Sequence, residues 1–372
     1  MTVVQDLLDD FKRADKVCDG DIDKWIKFAN TLRLRIAMQL VKVYPDSQKE
    51  AEDAVRDGVL TNSDSDVVLK SGLMLFRIED LWNDTRANAN IISILQGYSD
   101  PRLERWFATN NADIYSTDDE LSPVVEKATK YLGVRQGVPM TRTEYQGYSK
   151  TSRVGIPEQG PRPVLRVAEA YFLRAEGMLR NWNMGDGTPE SLYNEGIHSA
   201  WASVLGDESG WAGTYESYIN GFINTEEGGD FDWELFEGGF GSAPYINYRN
   251  QEYNYYIEEN GKQVGINRIS VRWHDEDSPE KKLQRIITQK WISFFPTLSS
   301  VAWTEYRRTG YPELYPCIDN LSDCGVSSQR GMRRLSFPYT EAQNNKANYD
   351  LGVAELGGAD NEATDLKWAK KN

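Results

Sequence analysis

Apolar residues recur along much of this chain at spacings of three and four, the period of an amphipathic helix. In KWIKFANTLRLRIAMQLVKV, Trp25, Phe28, Leu32, Ile36 and Leu40 follow one another at 3, 4, 4 and 4 positions, which predicts one buried stripe. Asp21 or Asp23 supplies the cap and the acidic first turn, and Pro45 stops the helix. SQKEAEDAVRDG then predicts a short helix ending at Gly58, so residues 21–58 read as a helix hairpin. A second hairpin is predicted over 165–206. LRVAEAYFLRAEGMLRNW presents Leu165, Ala168, Phe172, Ala175 and Leu179 on one face. Thr188 and Pro189 open the next helix, whose stripe is Tyr193, Ile197, Ala200 and Val204 and which Gly206 ends.

The remaining segments are less regular. Residues 61–65 are polar, and the stretch up to SDPRLERWF gives no clear period before Pro101 opens one helical turn. Residues 133–163 are punctuated by Gly and Pro and read as loop. From 207 to 277 periodicity fails while aromatics stay dense, which predicts an ordered, irregular region packed on the helices. The C-terminal helices fall within 279–310: Ser278 and Pro279 open EKKLQRIITQKWISFF, with Leu283, Ile287, Trp291 and Phe294 as its stripe, and SSVAWTEYRRTGYP closes at Gly310 and Pro312. The tail is polar and mixed. Strand-like alternation is scarce, so residues 1–372 read as a single, mainly α domain.

Composition narrows the partners. The chain has 372 residues, 40% hydrophobic and 27% charged, which is that of a globular protein. Lys+Arg total 42 against 57 Asp+Glu, for a net charge of −15, so a nucleic-acid phosphate backbone is a poor partner. The 11 Trp, 20 Tyr and 12 Phe are a marked aromatic excess, suited to cores and to the C–H faces of sugars. No stretch approaches the roughly 18 apolar residues of a spanning helix. MTVVQDLLDDFKRADKVCDG lacks the basic and apolar regions of a signal peptide and reads as an amphipathic helix. Cys317 and Cys324 could bridge a loop in an oxidising compartment, leaving Cys18 over.

The chemistry tests return little. His198 and His274 are the only histidines, too few for a multi-histidine zinc site. Glu195 and His198 make half of a di-iron helix motif, without the second half. Asp19, Asp21 and Asp23 imitate the start of a calcium loop, but Lys24 and Asn30 stand where Gly and Glu are needed, and helix capping explains them better. No G-x-S-x-G and no phosphate loop occur. Glu169 and Glu176 share a helix face, seven residues or about 10.5 Å apart. A glycosidase needs its carboxyls on either side of a sugar ring, about 5–9.5 Å apart, which two side chains pointing the same way cannot provide. Arg166 and Arg180 stand at good helix pair spacings, so both acids read as the polar flank of a scaffold helix. No catalytic residue, metal or cofactor is expected.

Taken in order, DKWIKFANTLRLRIAMQL, YSDPRLERWF, LRVAEAYFLRAEGMLRNW, LYNEGIHSAW, IITQKWISFF, AWTEYRRTGYPEL and MRRLSFPYTEAQNN resemble the SusD/RagB family of outer-membrane nutrient-binding lipoproteins, over about residues 21–350. The resemblance implies a tetratricopeptide-like helix-pair scaffold, an α–α superhelix, with long irregular loops carrying the ligand site. It also implies a non-enzymatic role: surface capture of an oligosaccharide or polysaccharide, or sometimes a peptide, and its delivery to a SusC-like TonB-dependent transporter. Family members are surface-exposed outer-membrane lipoproteins that begin with a signal peptide, a lipid-attached Cys and further helices. Cys18, in ADKVCDG, is not in such a lipobox, so this chain is expected to be a truncated piece or to have a mis-set start, with its lipid anchor, the only membrane attachment expected, absent.

The family motifs are scaffold and transfer no ligand contacts. Trp25, Trp291 and Trp303 lie on helix stripes or packing positions and are expected in the core. Candidate sugar platforms are aromatics outside the stripes: Trp211, Tyr215, Tyr218 and Trp233, and Trp82 with Asn83, Arg86 and Asn88. Stacking would supply affinity there, while amides and guanidinium would read hydroxyls. The alternatives are a peptide- or protein-binding helical-repeat module that uses a concave helix face, and a glycoside hydrolase.

Overall fold

The computed structural model describes residues 2–69, 85–109, 131, 133–138, 148–151, 162–220, 257–259, 262–264, 267 and 269–370. Among them the chain is mainly helical. The first helices are α1 (Thr2–Ala14), α2 (Ile22–Gln39), α3 (Ser47–Arg56), α4 (Ala89–Gly97) and α5 (Arg102–Trp106). Then come α6 (Val167–Leu179), α7 (Pro189–Leu205) and α8 (Ala212–Ile219). The last are α9 (Pro279–Ser293), α10 (Ser299–Thr309), α11 (Tyr339–Asn344) and α12 (Lys346–Leu356). Two short antiparallel pairs accompany them: β1 (Val67–Leu69) with β2 (Arg162–Leu165), and the hairpin of β3 (Ile257–Glu259) with β4 (Lys262–Val264).

Local chemistry explains where several helices start. The Asp21 carboxylate accepts from the Lys24 amide at 3.0 Å, which is the capping role of the acidic DGDID stretch. Thr188 and Ser191 form a reciprocal capping box, with Pro189 at the first helical position and Gly206 closing α7 at φ 77°. Ser278 accepts from the Lys281 amide at 3.3 Å and Pro279 follows, opening α9. Gly310 ends α10 in the left-handed region, at φ 85°.

The core is built around α6, which packs against α7, α9 and α2. Nearly every residue from Val167 to Gly177 is buried, not one face alone. A helix covered on several sides must be apolar all round or satisfy its polar groups internally. On α7, Gly196 lets the Phe172 ring approach so closely that an added Cβ would sit 2.7 Å from it. The N-terminus of α6 is capped from a distance: the Asp66 carboxylate accepts from the Val167 amide at 2.9 Å and from Arg166 at 3.0 Å.

The structure departs from the sequence expectations in several places. On α2 the buried residues are Thr31, Leu34, Ala37 and Met38, while Ile36 is 50% exposed. Trp25, Phe28 and Leu32 are only partly buried against the core. The helix is rotated so that Leu34 and Met38 go inward and Arg35 reaches Glu169. Leu165 lies in β2 rather than on the first turn of α6. The region from 207 to 277 is not uniformly irregular, since it contains α8 and the β3–β4 hairpin. Cys317 and Cys324 are free thiols, their sulfurs lying 3.5 Å from the Asp319 carbonyl and 3.4 Å from Glu362.

Candidate functional site

Between the start of α4 and the corner joining α9 to α10 lies a cavity of about 480 Å³. The corner contributes Trp291, Phe294 and Phe295, and α10 contributes Ala302, Trp303 and Tyr306. The segment before and into α4 contributes Arg86, Asn88 and Ile91.

Ring packing and hydrogen bonds hold the walls in place. Trp106 and Phe107 pack against Phe295, with ring centroids 5.0 and 5.1 Å away, and Arg166 donates to the Phe295 carbonyl at 3.1 Å. The Trp303 indole N–H donates to the Met332 carbonyl at 3.1 Å, and the Arg307 guanidinium lies 3.5 Å from the Trp303 ring centre. One face of this indole is therefore taken by a cation. The Tyr306 hydroxyl donates to the Gln329 carbonyl at 2.8 Å. On the α4 side, the Ala87 and Ala89 amides donate to the Ser149 and Val134 carbonyls at 2.8 and 2.9 Å. Rings fixed in this way lose little freedom when a ligand arrives.

Among the polar residues of this mostly apolar wall, which include Thr85, Thr151 and Ser299, Asn88 and Arg86 carry an amide and a guanidinium. Asn88 caps α4, its side-chain oxygen accepting from the Asn90 amide at 2.8 Å, so its NH2 group is what remains for a ligand. Arg86 donates from Nη1 to the Thr85 carbonyl at 2.7 Å and carries the only charge among the described lining residues. Those described residues include neither a carboxylate nor a histidine. The chemistry of the wall is that of stacking and hydrogen bonding.

The sequence candidates divide sharply. Arg86 and Asn88 stand on the cavity. Trp82, Asn83 and Trp233 lie outside the described residues. Trp211, Tyr215 and Tyr218 are core residues, which corrects their reading as loop platforms. They belong to α8 and its first boundary, spaced four and three apart, and pack on Trp201 with centroids 5.7, 5.5 and 4.8 Å away. The Tyr218 hydroxyl donates to Asp100 at 2.9 Å and accepts from Gln289 at 3.0 Å, beside the buried Asp100–Arg102 pair. Conversely, Trp291 and Trp303, expected in the core, are only partly buried and line the cavity. The available signal was their position: both flank the FFPT turn, where two helices meet and side chains near a corner lose neighbours.

Glu169 and Glu176 lie elsewhere, and they are buried, not on a solvated flank. Arg35 binds both oxygens of Glu169, at 2.7 and 2.5 Å. Arg308 binds both oxygens of Glu176 at 2.7 Å and also reaches Glu305 at 2.7 Å. Lys290 stands between them, 3.2 Å from Glu305 and 3.9 Å from Glu169. The helical pair from Arg180 to Glu176 forms at 2.8 Å, but Arg166 pairs with Asp66 instead of Glu169. Burial alone would raise the Glu176 carboxyl, yet the charge and hydrogen bonds of Arg308, with Arg180 and Lys290, hold it down at about 2. A carboxyl fixed as an anion by two arginines cannot serve as a general acid.

A sequence model of the SusD-like family, described as SusD and RagB outer membrane lipoprotein, matches residues 2–216 and 240–369. The chain belongs to the SusD-like family. An outer-membrane location comes with that family, and its members share the mainly helical fold described above. Among solved structures, the chain is 33% identical to a chitin-binding SusD homologue from Flavobacterium johnsoniae, with a TM-score of 0.73, covering 96% of this chain and 66% of that one. It is 30% identical to a SusD-like protein from Bacteroides thetaiotaomicron, with a TM-score of 0.75, covering 100% of this chain and 70% of that one. A SusD homologue from Bacteroides ovatus is 31% identical, with a TM-score of 0.74 and coverage of 97% and 70%. The chain thus spans about two thirds of the length of these SusD-like relatives. No curated protein matches it.

Proposed function

We propose that this SusD-like chain binds a glycan without catalysis, in the cavity at the α9–α10 corner, and that the full-length protein hands it to a SusC-like TonB-dependent outer-membrane transporter. The observation that carries the binding step is the cavity wall: Trp291 and Trp303 beside Arg86 and Asn88, with no carboxylate or histidine among the described lining residues. Aromatic faces stack on sugar C–H faces, while the guanidinium and the amide NH2 donate to hydroxyl or carbonyl oxygens. A volume of about 480 Å³ falls in the usual range of small-ligand sites and suits a short oligosaccharide segment.

Because a 33% identical relative binds chitin, oligomers of N-acetylglucosamine are the first ligands to test. Delivery rests on family membership alone. Calorimetric titration with chitohexaose and a panel of other glycans tests the binding step. Binding of any one glycan, weakened when Trp291 is replaced, supports the proposal; a panel without a single binder contradicts it. Co-purification of the full-length protein with a co-expressed SusC-like transporter tests the delivery step.

A further inference from the structure

A second cavity, of about 310 Å³, opens beside Arg308, where the ends of α2, α6 and α10 meet the start of α9. Four cationic side chains line it, Lys42, Arg180, Arg308 and Lys370, against two carboxylates, Glu176 and Glu280. This local excess of positive charge is opposite in sign to the −15 of the whole chain.

The carboxylates are already engaged. Glu176 is gripped by Arg308 and Arg180, and Glu280 accepts from the Tyr311 hydroxyl at 2.8 Å with Lys370 3.7 Å away. Two cations are less fully used. Lys42 donates once, to the Arg308 carbonyl at 2.9 Å, although an ammonium carries three donors. Arg180 gives one Nη to Glu176, and its buried Nε has no partner among the described residues. Burial lowers the Lys42 pKa, and the neighbouring charges of Arg308, Lys370 and Arg180 lower it further. Crowded cations of this kind are relieved by an incoming anion. Leu179, Pro279 and Leu283 complete the wall and offer an apolar surface to the rest of the ligand.

We propose that this pocket is a second binding site, for a small carboxylate with a C–H-rich body, such as a sugar acid. The carboxylate lies between Lys42 and Arg180, and the ring rests on Leu179 and Leu283. The site does not depend on the aromatic cavity, and its ligand is distinguished by charge rather than by stacking.

The test is calorimetric titration of the whole chain with D-glucuronate, and with D-glucose as the neutral match, in low salt. Glucuronate is expected to bind and glucose not to bind. Lys42→Met and Arg180→Met are each expected to weaken glucuronate by about tenfold or more, the loss of one charge-assisted contact. Binding of chitohexaose at the aromatic cavity is expected to be unchanged in both, so failure here is separable from failure of the glycan site. If either variant does not fold, Lys42→Gln or Arg180→Gln replaces it, which removes the same charge with a smaller change of shape. Absence of glucuronate binding, equal binding of glucose, or wild-type affinity in the folded variants overturns the proposal.

Discussion

Arg308 holds Glu176 with two parallel hydrogen bonds of 2.7 Å, linking α10 to α6 across 132 positions of sequence inside the core. Both side chains are 1% exposed. Removing one partner of such a pair leaves a buried charge uncompensated, so Arg308→Met is expected to destabilise the fold by about 3–5 kcal/mol. Arg308→Lys keeps the charge but loses the planar fork and should also be strongly destabilising. Urea unfolding of both variants measures this; a loss under about 1 kcal/mol for either would place the pair among ordinary surface bridges.

The same network predicts an acid transition. Burial would raise the Glu176 carboxyl, but Arg308, Arg180 and Lys290 hold it in the fold well below its ordinary value of 4.5. A depressed folded pKa contributes stability that is fully present above the unfolded value and is lost as pH falls through the folded one. Glu305 is likewise lowered: burial opposes this, but the charges of Arg308 and Lys290 prevail. The melting temperature should therefore fall steeply below about pH 4.5, and Glu176→Gln should make that fall shallower. Parallel pH profiles for wild type and variant would contradict this.

Trp211 is 5% exposed and meets Trp201, His198 and Tyr215 edge to face. Trp211→Ala should therefore destabilise by about 3–5 kcal/mol, as deletion of a core ring does. Tyr218→Phe, which removes one hydroxyl from the Asp100 and Gln289 network, should lose about 1–3 kcal/mol. Thermal denaturation decides this. Unchanged melting with lost glycan binding would return Trp211 to the ligand surface.

Asn88 separates scaffold from recognition. Asn88→Asp retains the oxygen that caps α4 but replaces the NH2 donor, so stability should hold while glycan affinity falls roughly tenfold. Asn88→Ala should lose about 1 kcal/mol of stability as well. Melting curves paired with titrations check both; equal affinity in Asn88→Asp and wild type would remove the amide from the site.

Much of the helical frame is legible because its signals are local. Thr188 with Pro189, and Ser278 with Pro279, declare their helix starts within four residues. Trp211, Tyr215 and Tyr218 also carried a helical spacing, hidden by the short length of α8 and the glycine-rich chain after it. The polar core was not legible. Glu169 meets Arg35 from 134 positions away, while the nearer Arg166 turns to Asp66, so helix spacing named the wrong partner. Exposure of Trp291 and Trp303 likewise depends on what the 85–91 segment leaves uncovered, which no periodicity within α9 or α10 records.

The most direct test of the account is titration of Trp291→Leu with whichever glycan the wild type binds, alongside Trp211→Leu as the core control. The indole of Trp291 lines the cavity, whereas that of Trp211 is packed against Trp201. Loss of one stacking contact is expected to weaken Trp291→Leu by about tenfold with its melting temperature nearly held. Trp211→Leu should melt earlier yet bind as wild type at a temperature where it is folded. Wild-type affinity in Trp291→Leu, or loss confined to Trp211→Leu, would contradict a glycan site at the α9–α10 corner.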